Sequence, residues 1–219
     1  MRQSMRGGAL ISFEGGEGAG KSTVIAAAVA MLQSSGLRLC QVREPGGTLI
    51  GESIREVLLK PEHRGLCAET ELLLMMASRA QLVRERILPA LAQGEWVIAD
   101  RFTDASFAYQ GGGRGIDSGR IAELERWVAT RQPDLSFLLD LPVSEGLKRA
   151  SGRGAPDRIE AEPETFFDRV RVAYRQRAAA DPARWCIIDA SQPADVVAAQ
   201  VNAALIRFVS NWGGVPACT

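Results

Sequence analysis

Residues 15–22 read Gly-Gly-Glu-Gly-Ala-Gly-Lys-Ser, with every fixed position of the pattern GxxxxGK[ST] in place. The apolar run Ala9–Phe13 precedes this segment, and a helix-prone stretch, Thr23–Leu32, follows it. A strand that feeds a glycine-rich turn onto a helix N-terminus directs several backbone N–H groups and the positive end of a helix dipole at one point. The glycines let the backbone reach conformations and approach distances that a Cβ forbids. Lys21 adds a mobile point charge for the β/γ-phosphates, and the Ser22 hydroxyl is placed to ligate Mg²⁺. An ordinary glycine-rich turn before a helix is the competing reading, and the strand–turn–helix context argues against it. The expectation is a nucleoside triphosphate site built from Gly15, Gly16, Glu17, Gly18, Ala19, Gly20, Lys21, Ser22 and Thr23.

Short apolar runs alternate with helical stretches along the rest of the chain. Strands are expected at Ala9–Phe13, Leu37–Val42, Trp96–Asp100, Leu135–Leu141 and Trp185–Asp189. Helices are expected at about 21–34, 49–59, 68–92, 118–130, 143–151, 163–180 and 193–210. The segment from Glu69 to Leu91 carries apolar residues around its whole circumference, which implies a central, buried helix. Pro89 near its end implies a kink or an early stop. The fold class is α/β, a doubly wound parallel five-stranded sheet with helices on both faces. One domain spans residues 1–219, with an arginine-bearing lid at about 149–161.

Composition narrows the chemistry. The 26 basic and 26 acidic residues cancel, so no global field draws the chain to nucleic acid or a membrane surface. No stretch approaches 18 consecutive apolar residues, and Met1–Gly8 lacks the apolar core of a secretory signal, so a cytoplasmic protein is expected. Cys40, Cys67, Cys186 and Cys218 lack metal or redox spacing, and His63 is the sole histidine. Zinc binding and histidine acid–base catalysis are therefore disfavoured. Lysine occurs only at Lys21, Lys60 and Lys148, which leaves 23 arginines. Arginine is the better bidentate partner for phosphate oxygens, and position must decide which arginines serve that purpose.

Three strand ends carry polar chemistry. The first yields the glycine-rich loop. The second yields Arg43-Glu44-Pro45-Gly46-Gly47-Thr48, a rigid turn flanked by charge. The third yields Asp100-Arg101-Phe102, where an acid ending a buried strand near a phosphate loop can hold Mg²⁺ directly or through water, or can simply cap the next helix. The stretch Arg149–Glu160 is arginine-studded and broken by glycine and proline. Beside a phosphate loop it reads as a lid that closes over a triphosphate; taken alone it reads as a solvated loop.

These segments together, with Ala108-Tyr109-Gln110-Gly111 and Arg153 through Asp157-Arg158, resemble the thymidylate kinases of the nucleoside monophosphate kinase superfamily over roughly Leu10–Asp189. The resemblance implies transfer of the ATP γ-phosphoryl group to dTMP. It implies Lys21, Arg101 and Arg153 as catalytic residues, Mg²⁺ held by Ser22 and Asp100, and Arg149 and Arg153 on the ATP side. Glu17, Arg43, Pro45, Met75, Arg79, Arg101, Ser106, Tyr109 and Gln110 fall on the dTMP side. Arg79 would donate to a thymine carbonyl, a helix-surface ion pair being its other reading. Tyr109 would crowd the sugar 2′ position. The phosphate loop carries no arginine at Gly16, Glu17, Gly18 or Ala19, so the lid must supply one; Arg153 is the first choice, with Arg149 and Arg158 in support. A homodimer is the family's usual assembly.

Two departures stand out. Met75-Met76 occupies the place where relatives often set an aromatic ring against the base, and Ser151 replaces an arginine found in some lids. A GTPase is excluded because neither Asn202 nor Asn211 is followed by lysine. A kinase for another monophosphate, and a non-catalytic ATP-binding switch, are the remaining rivals.

Overall fold

The computed structural model describes residues 7–152 and 155–212. Five parallel strands form one sheet in the order β2-β3-β1-β4-β5, with β1 Leu10–Glu14, β2 Leu39–Arg43, β3 Trp96–Asp100, β4 Leu135–Asp140 and β5 Trp185–Asp189. All five lie within two residues of the runs expected from the sequence. β1 is central and wholly buried. Its neighbours pair with it in a register that sets Phe13 beside both Asp100 and Phe137, while Arg43 lies beside Asp100. The carboxyl ends of four strands therefore share one rim, and their last residues (Glu14, Arg43, Asp100 and Asp140) gather there. Ligands of open α/β sheets bind at such a rim.

Alternate residues of β1 face opposite layers. Ile11 and Phe13 join a core with α1 (Lys21–Ser34) and α9 (Ala194–Asn211), whereas Leu10 joins one with α3 (Ala68–Leu82) and α6 (Ser118–Val128). Between these layers the buried Ser12 and Ser136 hydroxyls satisfy each other at 2.8 Å. α2 (Leu49–Leu59) starts where the Thr48 side chain accepts from the Gly51 N–H, a polar cap on an otherwise unpaired helix end. After α3 the helix widens into a π turn at Val83–Ile87 and resumes as α4, Leu88–Ala92. The wide turn lies immediately before Pro89, which cannot donate its own hydrogen bond. Proline thus neither stops nor sharply ends this helix.

One element was not expected from the sequence. Residues Thr103–Ser106 (α5) run into a π-helical segment, Phe107–Gly113. Three consecutive glycines, Gly111–Gly113, argue against a helix on propensity. Packing against α8 (Glu164–Ala180) overrides this: a Cβ on Gly112 would lie 2.8 Å from the Arg169 carbonyl oxygen, and one on Gly113 would lie 2.4 Å from the Phe166 ring. The glycines are the condition for that close approach. The buried Asp104 carboxylate fixes α5 further by pairing with Arg177 and Arg184, each at 2.7 Å.

The phosphate loop is packed as tightly. A Cβ on Gly18 would fall 1.9 Å from the Gly146 carbonyl oxygen in α7 (Val143–Ala150). The loop and the helix leading into the lid thus touch backbone to backbone.

Candidate active site

The loop at 15–22 turns through Gly15, Gly18 and Gly20, all at positive φ, and Gly20 delivers the chain into α1 at Lys21. Lys21, Ser22 and Thr23 form the first turn of that helix, where N–H groups lack intrahelical partners. Lys21 Nζ folds back to donate to the Gly15 and Gly16 carbonyl oxygens at 3.2 and 3.0 Å. Burial, helped by the nearby Arg101 charge, pulls the Lys21 ammonium pKa down to about 8. Ser22 and Asp100 line one cleft together with Arg43 and Arg86.

Arg101 is the hub of the rim. It is the one non-glycine residue at positive φ (66°) among the described residues, a conformation that costs free energy and recurs at functional sites. Its Nη1 donates to Gly15 O at 2.6 Å and its Nη2 to Glu17 Oε1 at 2.8 Å. The guanidinium lies 4.8 Å from the Tyr109 ring centre, and the Tyr109 hydroxyl donates to the same Glu17 oxygen at 2.8 Å. Behind it, Glu14 accepts from the Phe102 N–H and from the Tyr174 hydroxyl, both at 2.8 Å. Tyr174 in turn receives a longer bond, 3.3 Å, from Arg101. Burial, with Asp104 adding to it, raises the Glu14 carboxyl to about 8.

A second cleft, of about 140 Å³, opens on the other side of Arg101 and Glu17. Pro45, Met75, Tyr109 and Gln110, all singled out from the sequence, form its wall with Arg101 and Glu17. Arg43 does not reach it; its guanidinium pairs with Glu52 at 2.8 Å and faces the cleft of Ser22 and Asp100. Arg79 is fully buried behind the wall. It grips Glu44 through Nε and Nη2 at 2.8 and 2.6 Å, Phe102 O at 3.2 Å, Ser106 Oγ at 2.9 Å and Met76 Sδ at 3.4 Å. It is neither at the helix surface nor on the cleft lining, and Ser106 is held by it.

Arg55 of α2 is a cleft residue that sequence reasoning missed. Its Nη1 donates to Pro45 O at 3.0 Å, and its other N–H groups have no partner among the described residues. Burial, with Arg43 close by, holds its guanidinium pKa below the usual arginine range. The charges of Glu52, Asp157 and Asp100 act on it in the opposite sense. Its helical spacing from the buried Gly51 and Leu58 was the available signal.

The lid arginines part company. Arg153 lies outside the described residues. Arg149 donates to Ala190 O and Ser191 O at 2.8 and 3.2 Å, at the loop after β5. Arg158 is buried and turned away from the phosphate loop: Nε donates to Leu58 O at 2.6 Å, and Nη2 stands 2.8 Å from Glu71. Its neighbours Asp157 and Ile159 line the second cleft.

Comparison with known proteins converges on one family. The thymidylate kinase family model matches residues 13–201. A thymidylate kinase of Pseudomonas savastanoi pv. phaseolicola is 52% identical over 203 residues, spanning 92% of this chain and 97% of its own. One from Alcanivorax borkumensis is 49% identical over 206 residues, spanning 94% and 99%. The crystal structure of thymidylate kinase from Ehrlichia chaffeensis superposes with a TM-score of 0.75 at 32% identity, over 91% of this chain and 99% of that one.

The lowered Lys21 pKa gives the loop a pH signature. A bound polyphosphate favours the protonated amine, so binding above the free-state pKa requires proton uptake. Affinity for ATP should be flat below pH 8 and fall by up to about tenfold per unit above it. Titration calorimetry from pH 7 to 9.5 reads this out, and a Lys21→Met variant should lose the high-pH decline. A decline that persists in the variant assigns the proton elsewhere.

Proposed function

The chain belongs to the thymidylate kinase family, and on that premise we propose how its residues carry the reaction. The enzyme transfers the γ-phosphoryl group of ATP to dTMP, giving dTDP and ADP on the route to dTTP. One observation supports this division of the site above others: the phosphate loop and the second cleft meet at Arg101 and Glu17, so a donor and an acceptor can lie end to end.

ATP phosphates lie in the loop, against the N–H groups of the first turn of α1 and the Lys21 ammonium. The dTMP phosphate takes the Arg101 fork, with Arg55 as a second guanidinium from α2. In that pose an acceptor phosphate oxygen faces the γ-phosphorus in line with the bridging oxygen to the β-phosphate. A new P–O bond forms as the bridging bond breaks, and its electron pair leaves with ADP. The attacking phosphate is already ionised, so the step needs positioning and charge neutralisation rather than a general base.

Ser22 and Asp100 offer hard oxygen donors in one cleft, a set suited to Mg²⁺. When bound there the ion neutralises β- and γ-phosphate charge. The loop contributes no arginine, so Arg153 supplies the remaining cation from the lid. Arg158 does not, because its guanidinium is committed to Leu58 and Glu71.

In the nucleoside pocket, Gln110 Oε1 is buried with no partner among the described residues, an acceptor suited to the thymine N3–H. Arg79 reaches the adjacent carbonyl by giving up its weak Met76 sulfur contact, Ser106 steadies that geometry, and Met75 packs on the base. The Tyr109 ring, held by Glu17, crowds the 2′ position, and Glu17 itself meets the 3′-hydroxyl.

The protein acts as a homodimer through α2, α3 and α6, which pack in that order and each expose a large apolar side chain, Leu49, Leu73 (57%) and Trp127 (76%). Apolar side chains left in solvent on neighbouring helices suit an association face. The reading also places the enzyme in the cytoplasm, consistent with free thiols at Cys40 and Cys67 and with described helices too short or polar to cross a membrane.

With Mg-ATP and a panel of monophosphates, dTMP should show the highest kcat/KM; a preference for AMP, GMP or CMP refutes the pocket assignment. Arg153→Ala should lower kcat by about 10³ or more while dTMP still binds, and an unchanged kcat moves the role to another lid residue. Light scattering should return twice the chain mass, falling to one with Leu73→Glu; a wild-type monomer rejects the dimer.

A further inference from the structure

A buried carboxylate that faces neither nucleotide stands behind the base pocket. Glu71 of α3 is 1% exposed. Arg114 approaches both of its oxygens, with Nη2 at 3.0 Å and Nε at 3.2 Å, and Arg158 Nη2 stands 2.8 Å away. Gln110 Nε2 completes the set, donating to Oε1 at 2.9 Å. Burial acts to raise the Glu71 pKa, but hydrogen bonds from Arg114 and Gln110 outweigh it and hold the carboxyl below its usual range. Glu71 is thus held in its ionised form by the groups around it.

An ionised carboxylate only accepts hydrogen bonds, whereas a glutamine amide presents an acceptor on one side and a donor on the other. With Nε2 committed to Glu71, a flipped amide would bring its oxygen against a buried anion and leave that anion short of a donor. The free end of Gln110 on the cleft wall is therefore Oε1, the atom found buried without a partner. Were Glu71 neutral or absent, either orientation would serve. The pocket would then accept a ring nitrogen bearing a hydrogen or one bearing a lone pair.

We propose that Glu71 is a positioning residue for base specificity: by fixing the Gln110 amide it makes the pocket read the N3–H of a thymine-type lactam and reject the N3 lone pair of a cytosine-type ring. The inference rests on the reading that Gln110 faces the base. Arg114 and Arg158 serve it by allowing a full negative charge to persist under burial, and Glu162 balances Arg114. Rejection by a site built to pair one hydrogen-bonding pattern is stronger than rejection by shape.

The test compares dTMP with 5-methyl-dCMP, which keeps the methyl group and sugar and changes only the pattern at positions 3 and 4. In Glu71→Gln the ratio of kcat/KM for dTMP over 5-methyl-dCMP should fall about 10- to 100-fold, while the ratio for dTMP over dUMP stays at the wild-type value. Gln110→Leu should cause a comparable fall, and the double variant should add little to it. If Gln110→Leu collapses the ratio but Glu71→Gln lowers both substrates equally, Gln110 faces the base and the role of Glu71 is overturned. If Gln110→Leu leaves the ratio intact, the reading of Gln110 is itself wrong. Should Glu71→Gln fail to fold, NMR of the wild-type Gln110 side-chain amide decides the matter. Its NH₂ protons should move little when dTMP binds; a large shift places them at the base and overturns the inference.

Discussion

The Arg101 guanidinium ties the two halves of the site together. It reaches across the rim to Gly15 and Glu17 of the phosphate loop while resting on the Tyr109 ring of the nucleoside wall. The backbone pays for this reach with a positive φ at a non-glycine residue. Two acidic side chains hold that conformation: Glu14 fixes the Phe102 N–H just beyond it, and Glu17 takes the guanidinium. The phosphate loop and the second cleft are thereby held at a fixed separation, which is the preorganisation an in-line transfer requires.

The same logic accounts for the arginine-rich composition. Glu44, Glu71 and Asp104 are each deeply buried, and each is matched by one or more guanidiniums. A buried carboxylate without a partner would take up a proton and lose its directing power. The planar fork of arginine can satisfy two carboxylate oxygens at once, which lysine cannot. These pairs do more than hold helices together. Glu44 carries Arg79, Asp104 carries the α5 turn, and Glu71 carries Gln110, so these buried acids fix the surroundings of the second cleft, which Glu44 itself lines. Arg55 and Arg101 line the second cleft, while Arg43 and Arg86 line that of Ser22 and Asp100.

Much of this was readable from residues near one another in the chain. The five strands appear as short apolar runs because burial on both faces leaves no polar alternation, and their ends were found within two residues. The segment 103–113 was missed because its glycines lower helix propensity, and the contact with α8 that rewards them comes from residues more than fifty positions away. Arg55 was missed because its one local signal, helical spacing from Gly51 and Leu58, says which face of α2 it is on but not that a cleft opens there. Arg158 was read with the lid arginines by proximity in sequence, yet its guanidinium is drawn to helix carbonyls and to Glu71.

The sequence by itself determined the phosphate loop, its lysine and hydroxyl, the parallel sheet and the lack of an arginine within the loop. All of these are local patterns, in which a few adjacent residues dictate backbone geometry. Only the tertiary structure decided which of the described arginines line an open cleft and which neutralise buried acids. That choice depends on partners brought together across the sheet rim, and no local spacing encodes it. The orientation of the Gln110 amide is the sharpest instance: its sequence neighbours are silent, and a carboxylate from another helix settles which of its atoms is engaged and which is left without a partner among the described residues.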